Sequence, residues 1–93
     1  MSSTIRIPAP LRSLTNGADE VAVEGRNIRE ALTSLGSQHE NINSKLLSDN
    51  GDLRDFVNIF LNGNEIRTMN GIDTALPEGS VLNIIPAVAG GLK

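Results

Sequence analysis

A chain of 93 residues with a net charge of −3 has room for one small domain, and its eight basic residues are scattered, which argues against a nucleic-acid surface. The absence of cysteine excludes a disulfide framework, a thiolate metal site and a cysteine nucleophile. No apolar run approaches the ~20 residues that span a bilayer, and Met1 to Thr4 lacks the basic start of a secretory signal, so a cytoplasmic protein is expected.

Thr4-Ile5-Arg6-Ile7-Pro8 alternates with period two, which predicts a half-buried strand with Ile5 and Ile7 inward and Thr4 and Arg6 outward. Pro8 and Pro10 stop it. Thr15-Asn16-Gly17 signals a turn. Glu20 to Glu24 follows as a second strand with Val21 and Val23 inward, the two forming an antiparallel hairpin with a long loop. Ile28, Ala31, Leu32 and Leu35 then fall on one helical stripe. Asn27 is the N-cap, with Glu30 at the capping-box position, and Gly36 marks the end of the regular helix. Ile42, Leu46 and Leu47 predict a short extra helical turn before the loop Ser48-Asp49-Asn50-Gly51-Asp52.

Phe56 to Leu61 is the strongest strand in the chain. Asn62-Gly63 predicts a tight hairpin, with Glu65-Ile66-Arg67 as the short return strand. Asn70-Gly71 turns again, Asp73 to Leu76 reads as a helical turn, and Pro77 to Ser80 as another turn. Val81 to Ile85 is the last strand, and Pro86 ends it by removing a ladder donor. Strands and one amphipathic helix in this order predict an α+β fold. A mixed sheet of four to five strands carries one main helix on one face, the β-grasp (ubiquitin-like) arrangement. Residues 1–86 form the domain and 87–93 a flexible tail. Strand parity directs Val57, Ile59, Leu61, Leu82 and Ile84 to the helix. Asn58, Phe60, Asn83 and Ile85 fall on the open face, where they are expected to form a partner-binding patch.

Little in the chain equips it as an enzyme. His39 is the only histidine and reads as a solvated residue at the negative end of a helix dipole. The carboxylates are dispersed. Asp49, Asn50 and Asp52 start like a calcium loop, but Phe60 or Leu61 stands where the bidentate glutamate belongs. No phosphate-binding glycine motif is present. We therefore expect no catalytic residue, no metal site and no bound cofactor.

The remaining candidate is the end of the chain, Pro86-Ala87-Val88-Ala89-Gly90-Gly91. Its residues are small, and two adjacent glycines let the backbone enter a narrow channel. Val88, Ala89 and Gly90 are the expected threading segment. Fully extended, Ala87 to Gly91 reaches roughly 17 Å.

The stretch Phe56-Val57-Asn58-Ile59, the turns at Asn62-Gly63 and Leu76-Pro77, Gly79 with Val81, and the Ile85 to Gly91 ending together resemble the ThiS/MoaD family of ubiquitin-like sulfur carriers. The ending is most similar to the branch that serves cysteine synthesis. The resemblance implies that an ATP-dependent adenylating enzyme of the ubiquitin-activating type makes Gly91 an acyl-adenylate. Sulfur delivery then gives a Gly91 thiocarboxylate, which donates sulfide to a cysteine-synthase-like acceptor. It also implies a carrier that is monomeric when free. Leu92-Lys93 departs from the family pattern, because Gly91 is then an amide and not a carboxylate. The expectation is cleavage at the Gly91–Leu92 bond by a zinc metalloprotease of the deubiquitinase-like kind, with a vector-encoded origin for the two residues as the alternative. Two other roles stay open: the small subunit of a molybdopterin-synthase-like complex, and a protein modifier joined through Gly91 to a lysine.

Overall fold

The computed structural model describes residues 2–86. Five strands form one mixed sheet, β1 (Ser2–Arg6), β2 (Glu20–Glu24), β3 (Val57–Leu61), β4 (Asn64–Glu65) and β5 (Val81–Pro86). Their spatial order is β2-β1-β5-β3-β4. β1 and β5 run parallel, and every other neighbouring pair is antiparallel. The helix α1 (Ile28–Gln38) covers one face, and the one-turn helix α2 (Asn43–Leu46) follows it. This is the β-grasp arrangement that the order of elements predicts.

The core lies between α1 and the sheet. Ile28, Ala31, Leu32 and Leu35 are fully buried, as are Ile5, Val23, Ile59 and Leu82 opposite them. Burying a side chain of this size contributes roughly 1.5–3 kcal/mol, so the stripe alone holds the helix down. The helix start follows its capping box with one shift. Asn27 Oδ1 accepts from the Glu30 N–H at 2.8 Å, while Glu30 Oε1 accepts from the N–H of Arg26, also at 2.8 Å. The first turn is further tied to the Thr74–Leu76 segment: Ile28 N donates to Thr74 O and Leu76 N to Arg26 O.

Several boundaries differ from expectation. β1 ends at Arg6, although Ile7 stays buried and its N–H still bonds Asp19 O. The stretch after the first proline is no open loop. Ala9–Thr15 forms a 3-10 helix closed by Asn16 in the left-handed region (φ 56°). Its Leu11 and Leu14 pack against the core, and Thr15 Oγ1 donates to Ala18 O at 2.8 Å.

Gly36 does not end α1, which runs on to Gln38 with His39 as its C-cap. A Cβ at Gly36 would collide with the Asn43 side-chain amide, whose Nδ2 donates to Leu32 O at 3.1 Å. The glycine is there for close approach of α2, not for termination.

Asn62 and Gly63 both take positive φ (50° and 93°), the geometry of a primed hairpin turn. Asn62 also anchors the turn to β5, since its Oδ1 accepts from Val81 N at 2.9 Å. The return strand is shorter than expected. β4 pairs only Asn64 and Glu65, and the chain turns at once into a 3-10 turn, Ile66–Thr68, because Ile66 dives into the core. The next helical turn is Gly71–Asp73, ahead of the predicted Asp73 to Leu76, and Ala75 instead bridges to Asn27. β5 runs one residue past the expected Ile85 and includes Pro86, which is in register with Val57.

Candidate functional site

The sheet face away from α1 carries the four patch residues together. In the β3–β5 register Asn58 faces Ile85 and Phe60 faces Asn83. Strand alternation puts all four on one side, while Val57, Ile59, Leu61, Leu82 and Ile84 are buried on the other. Ile85 is 48% exposed. Phe60 is half-buried and so less open than expected, because it lies in a depression of about 410 Å³ with Arg6, Arg12, Asn83 and Ile85 among its lining.

Arg6 and Arg12 are residues that sequence reasoning missed here. Arg6 was legible as outward-facing, but its neighbour is set by the β1–β5 register, which places it beside Asn83. Arg12 is brought in by the unforeseen 3-10 helix, and its Nε donates to Ile7 O at 3.0 Å. Asp19 also lines the depression, and Arg6 Nε lies 3.7 Å from Glu20 Oε2. The two guanidiniums thus sit among carboxylates.

Asn58 is less available than the other three. Its Oδ1 accepts from Arg67 Nη1, and Arg67 Nη2 donates to Arg54 O at 2.8 Å. This side chain braces the sheet more than it offers itself to a partner.

β5 is central, hydrogen-bonded to β1 on one side and β3 on the other. Its end at Pro86 is therefore a fixed point from which the tail departs. The expected threading segment Val88, Ala89 and Gly90, the reactive Gly91 and the processing bond to Leu92 lie outside the described residues.

His39 is half-buried at the C-cap of α1, with its backbone N–H on Leu35 O. The loop from Ser48 to Asp52 closes on itself: Ser48 N donates to Asp52 O at 2.8 Å, and Asn50 Oδ1 accepts from the Ser48 hydroxyl. Among the described residues no three histidine, aspartate or glutamate side chains gather as a metal site, and no helix is long and apolar enough to cross a membrane.

A helix gripped by a mixed sheet whose central strand leads out into the tail defines a ubiquitin-like protein. The chain belongs to the ThiS family, whose model matches residues 5–91. It is 36% identical over 93 residues to the sulfur carrier protein CysO of Mycobacterium tuberculosis, covering 98% of this chain and 100% of that one. It superimposes on a crystal structure of the Amycolatopsis orientalis BexX/CysO complex with a TM-score of 0.90 and 32% identity, covering 96% and 99% of the two chains. A more partial similarity is to small archaeal modifier protein 3 of Haloferax volcanii, 33% identical over 64 residues, which covers 69% of this chain and 68% of that one. The Mycobacterium tuberculosis relative, matched over its whole length, is a sulfur carrier protein, and this chain is likewise a small protein carrier and not an enzyme.

Proposed function

We propose that this chain carries sulfur as a thiocarboxylate on Gly91 and delivers it to a biosynthetic acceptor, a cysteine-synthase-like enzyme. The observation that carries the reading is similarity over nearly the whole length to a sulfur carrier, including the tail residues up to Gly91. The chemistry asks little of the folded domain. An adenylating enzyme of the ubiquitin-activating type joins the Gly91 carboxylate to the α-phosphorus of ATP and releases pyrophosphate. A sulfur donor then displaces AMP, leaving C(=O)S⁻ at Gly91. The domain presents this group and holds the partner through Phe60, Asn83 and Ile85. The reading carries a cytoplasmic setting with it, where ATP is available.

Because Leu92-Lys93 follows Gly91, the activation step requires prior hydrolysis of the Gly91–Leu92 bond, which we assign to a zinc metalloprotease. Mass spectrometry tests the sequence of events. Incubation with the host peptidase should remove Leu92-Lys93. Adding the adenylating enzyme, ATP and a sulfur source should then add the mass of one oxygen-to-sulfur exchange at Gly91. Sulfur delivery with Leu92-Lys93 still attached would overturn the processing step.

The second reading, a protein modifier, is favoured by the partial similarity to an archaeal modifier. It predicts a ladder of conjugates through Gly91 on a blot of host proteins, which a pure sulfur carrier does not give.

A further inference from the structure

A second surface, apart from the open sheet face, lies at the root of the tail. It is a groove of about 370 Å³ lined chiefly by Leu11, Lys45, Arg54, Phe56, Val57 and Pro86. Its floor is apolar and holds Phe56, which is 47% exposed although the core has no need of it. Lys45 and Arg54 supply its charge, and no carboxylate is among its lining residues. Both charged residues of this lining are cations, while Asp52 and Asp55 line the adjoining depression that Arg54 and Phe56 also border.

The cations are arranged to stay available. Arg54 is pinned at its base: its backbone N–H donates to Leu46 O at 2.9 Å, its carbonyl accepts from Arg67, and its Nε donates to Ser44 O at 3.0 Å. Its Nη groups and the Lys45 ammonium have no partner among the described residues. A guanidinium held this way loses little freedom when it takes a carboxylate.

We propose that this groove is a second docking site, which takes an acidic segment of a partner protein with an apolar anchor side chain between its carboxylates. The anchor lies on Leu11, Phe56 and Pro86, and the carboxylates meet Lys45 and Arg54. Pro86 lines the groove and is the last described residue of β5, so the groove borders the point from which the chain runs on toward Gly91. Burying an aromatic anchor within a charged rim is the usual anatomy of an interface hot spot.

The test uses the chain alone, so its failure is separable from any failure of the Gly91 chemistry. The probe is the peptide acetyl-Asp-Glu-Leu-Phe-Glu-Asp-amide, with acetyl-Lys-Lys-Leu-Phe-Lys-Lys-amide as its counterpart, titrated into isotope-labelled protein and followed by amide NMR. The acidic peptide should shift Leu11, Lys45 and Phe56, and the shifts should weaken as salt is raised. The basic peptide should leave them in place. Lys45→Glu with Arg54→Glu should weaken binding about tenfold or more. If the double variant does not fold, Lys45→Glu alone carries the test, since the ammonium makes no contact that the fold uses. The proposal is overturned if neither peptide shifts the groove, if both do so equally, or if the acidic peptide shifts Phe60 and Ile85 instead. It is equally overturned if the groove shifts with protein concentration alone, which would make the occupant a second copy of this chain.

Discussion

Arg67 spans from Asn58 to the carbonyl of Arg54, donating one Nη to the Asn58 side chain and the other to the backbone. It thereby ties the turn after β4 to the outer face of β3 and to the loop that leads into it. Arg67→Ala should cost about 1–2 kcal/mol, the value of two charge-assisted hydrogen bonds at a half-exposed site. Arg67→Lys should recover less than half, because one ammonium lacks the fork that reaches both acceptors. Urea denaturation of the three proteins measures this.

Phe60→Ala separates binding from folding. Phe60 is half-buried on the open face, so truncation should cost roughly 1–2 kcal/mol, well below the 3–5 expected of a core phenylalanine. Affinity for the adenylating enzyme should fall about tenfold or more if Phe60 anchors the interface. Denaturation with calorimetry on the partner reads both. A folding loss near the core value with unchanged affinity would remove Phe60 from the docking patch.

Gly36→Ala tests a close approach between helices. Alanine favours a helix interior by about 1 kcal/mol over glycine, so propensity alone predicts a gain. The new Cβ meets the Asn43 amide, so a net loss of about 1–3 kcal/mol is expected from the forced shift. With Asn43→Ala in place the clash is gone, so Gly36→Ala should turn from a loss into a gain of up to about 1 kcal/mol. A cycle of four thermal melts shows whether the two sites couple.

Asn27→Ala should cost about 1 kcal/mol through the orphaned Glu30 N–H, while Asn27→Asp should stay close to the parent. Thermal melts decide. Equal losses for both would show that the cap contributes little beside the bonds of Ile28 and Leu76 to the neighbouring segment.

The parts legible in the sequence were those that a local period carries. The α1 stripe, the alternation in β2, β3 and β5, and the positive-φ Asn62-Gly63 turn all arise from residues within one or two turns of each other. What failed depended on distant neighbours. Two prolines read as a strand stop, yet Leu11 and Leu14 had a core to join, so the segment coiled into a 3-10 helix. Gly36 read as a terminator because its steric partner Asn43 is seven residues on, in another helix. β4 read as longer because Ile66 alternates correctly, but burial drew it out of the ladder.

From the sequence alone came the main strands and the main helix, the inward and outward parity of those strands, and a run of small residues with two adjacent glycines ahead of Leu92-Lys93. Parity is a local property, since successive side chains on a strand must point opposite ways. Tertiary structure decided which outward residues meet. Arg6 lies beside Asn83 only because β1 runs parallel to β5. Leu11, Lys45, Arg54 and Phe56 share a groove only because a 3-10 helix, α2 and the start of β3 converge beside the last residue of β5. Those neighbours are fixed by long-range register and packing, which no local pattern encodes.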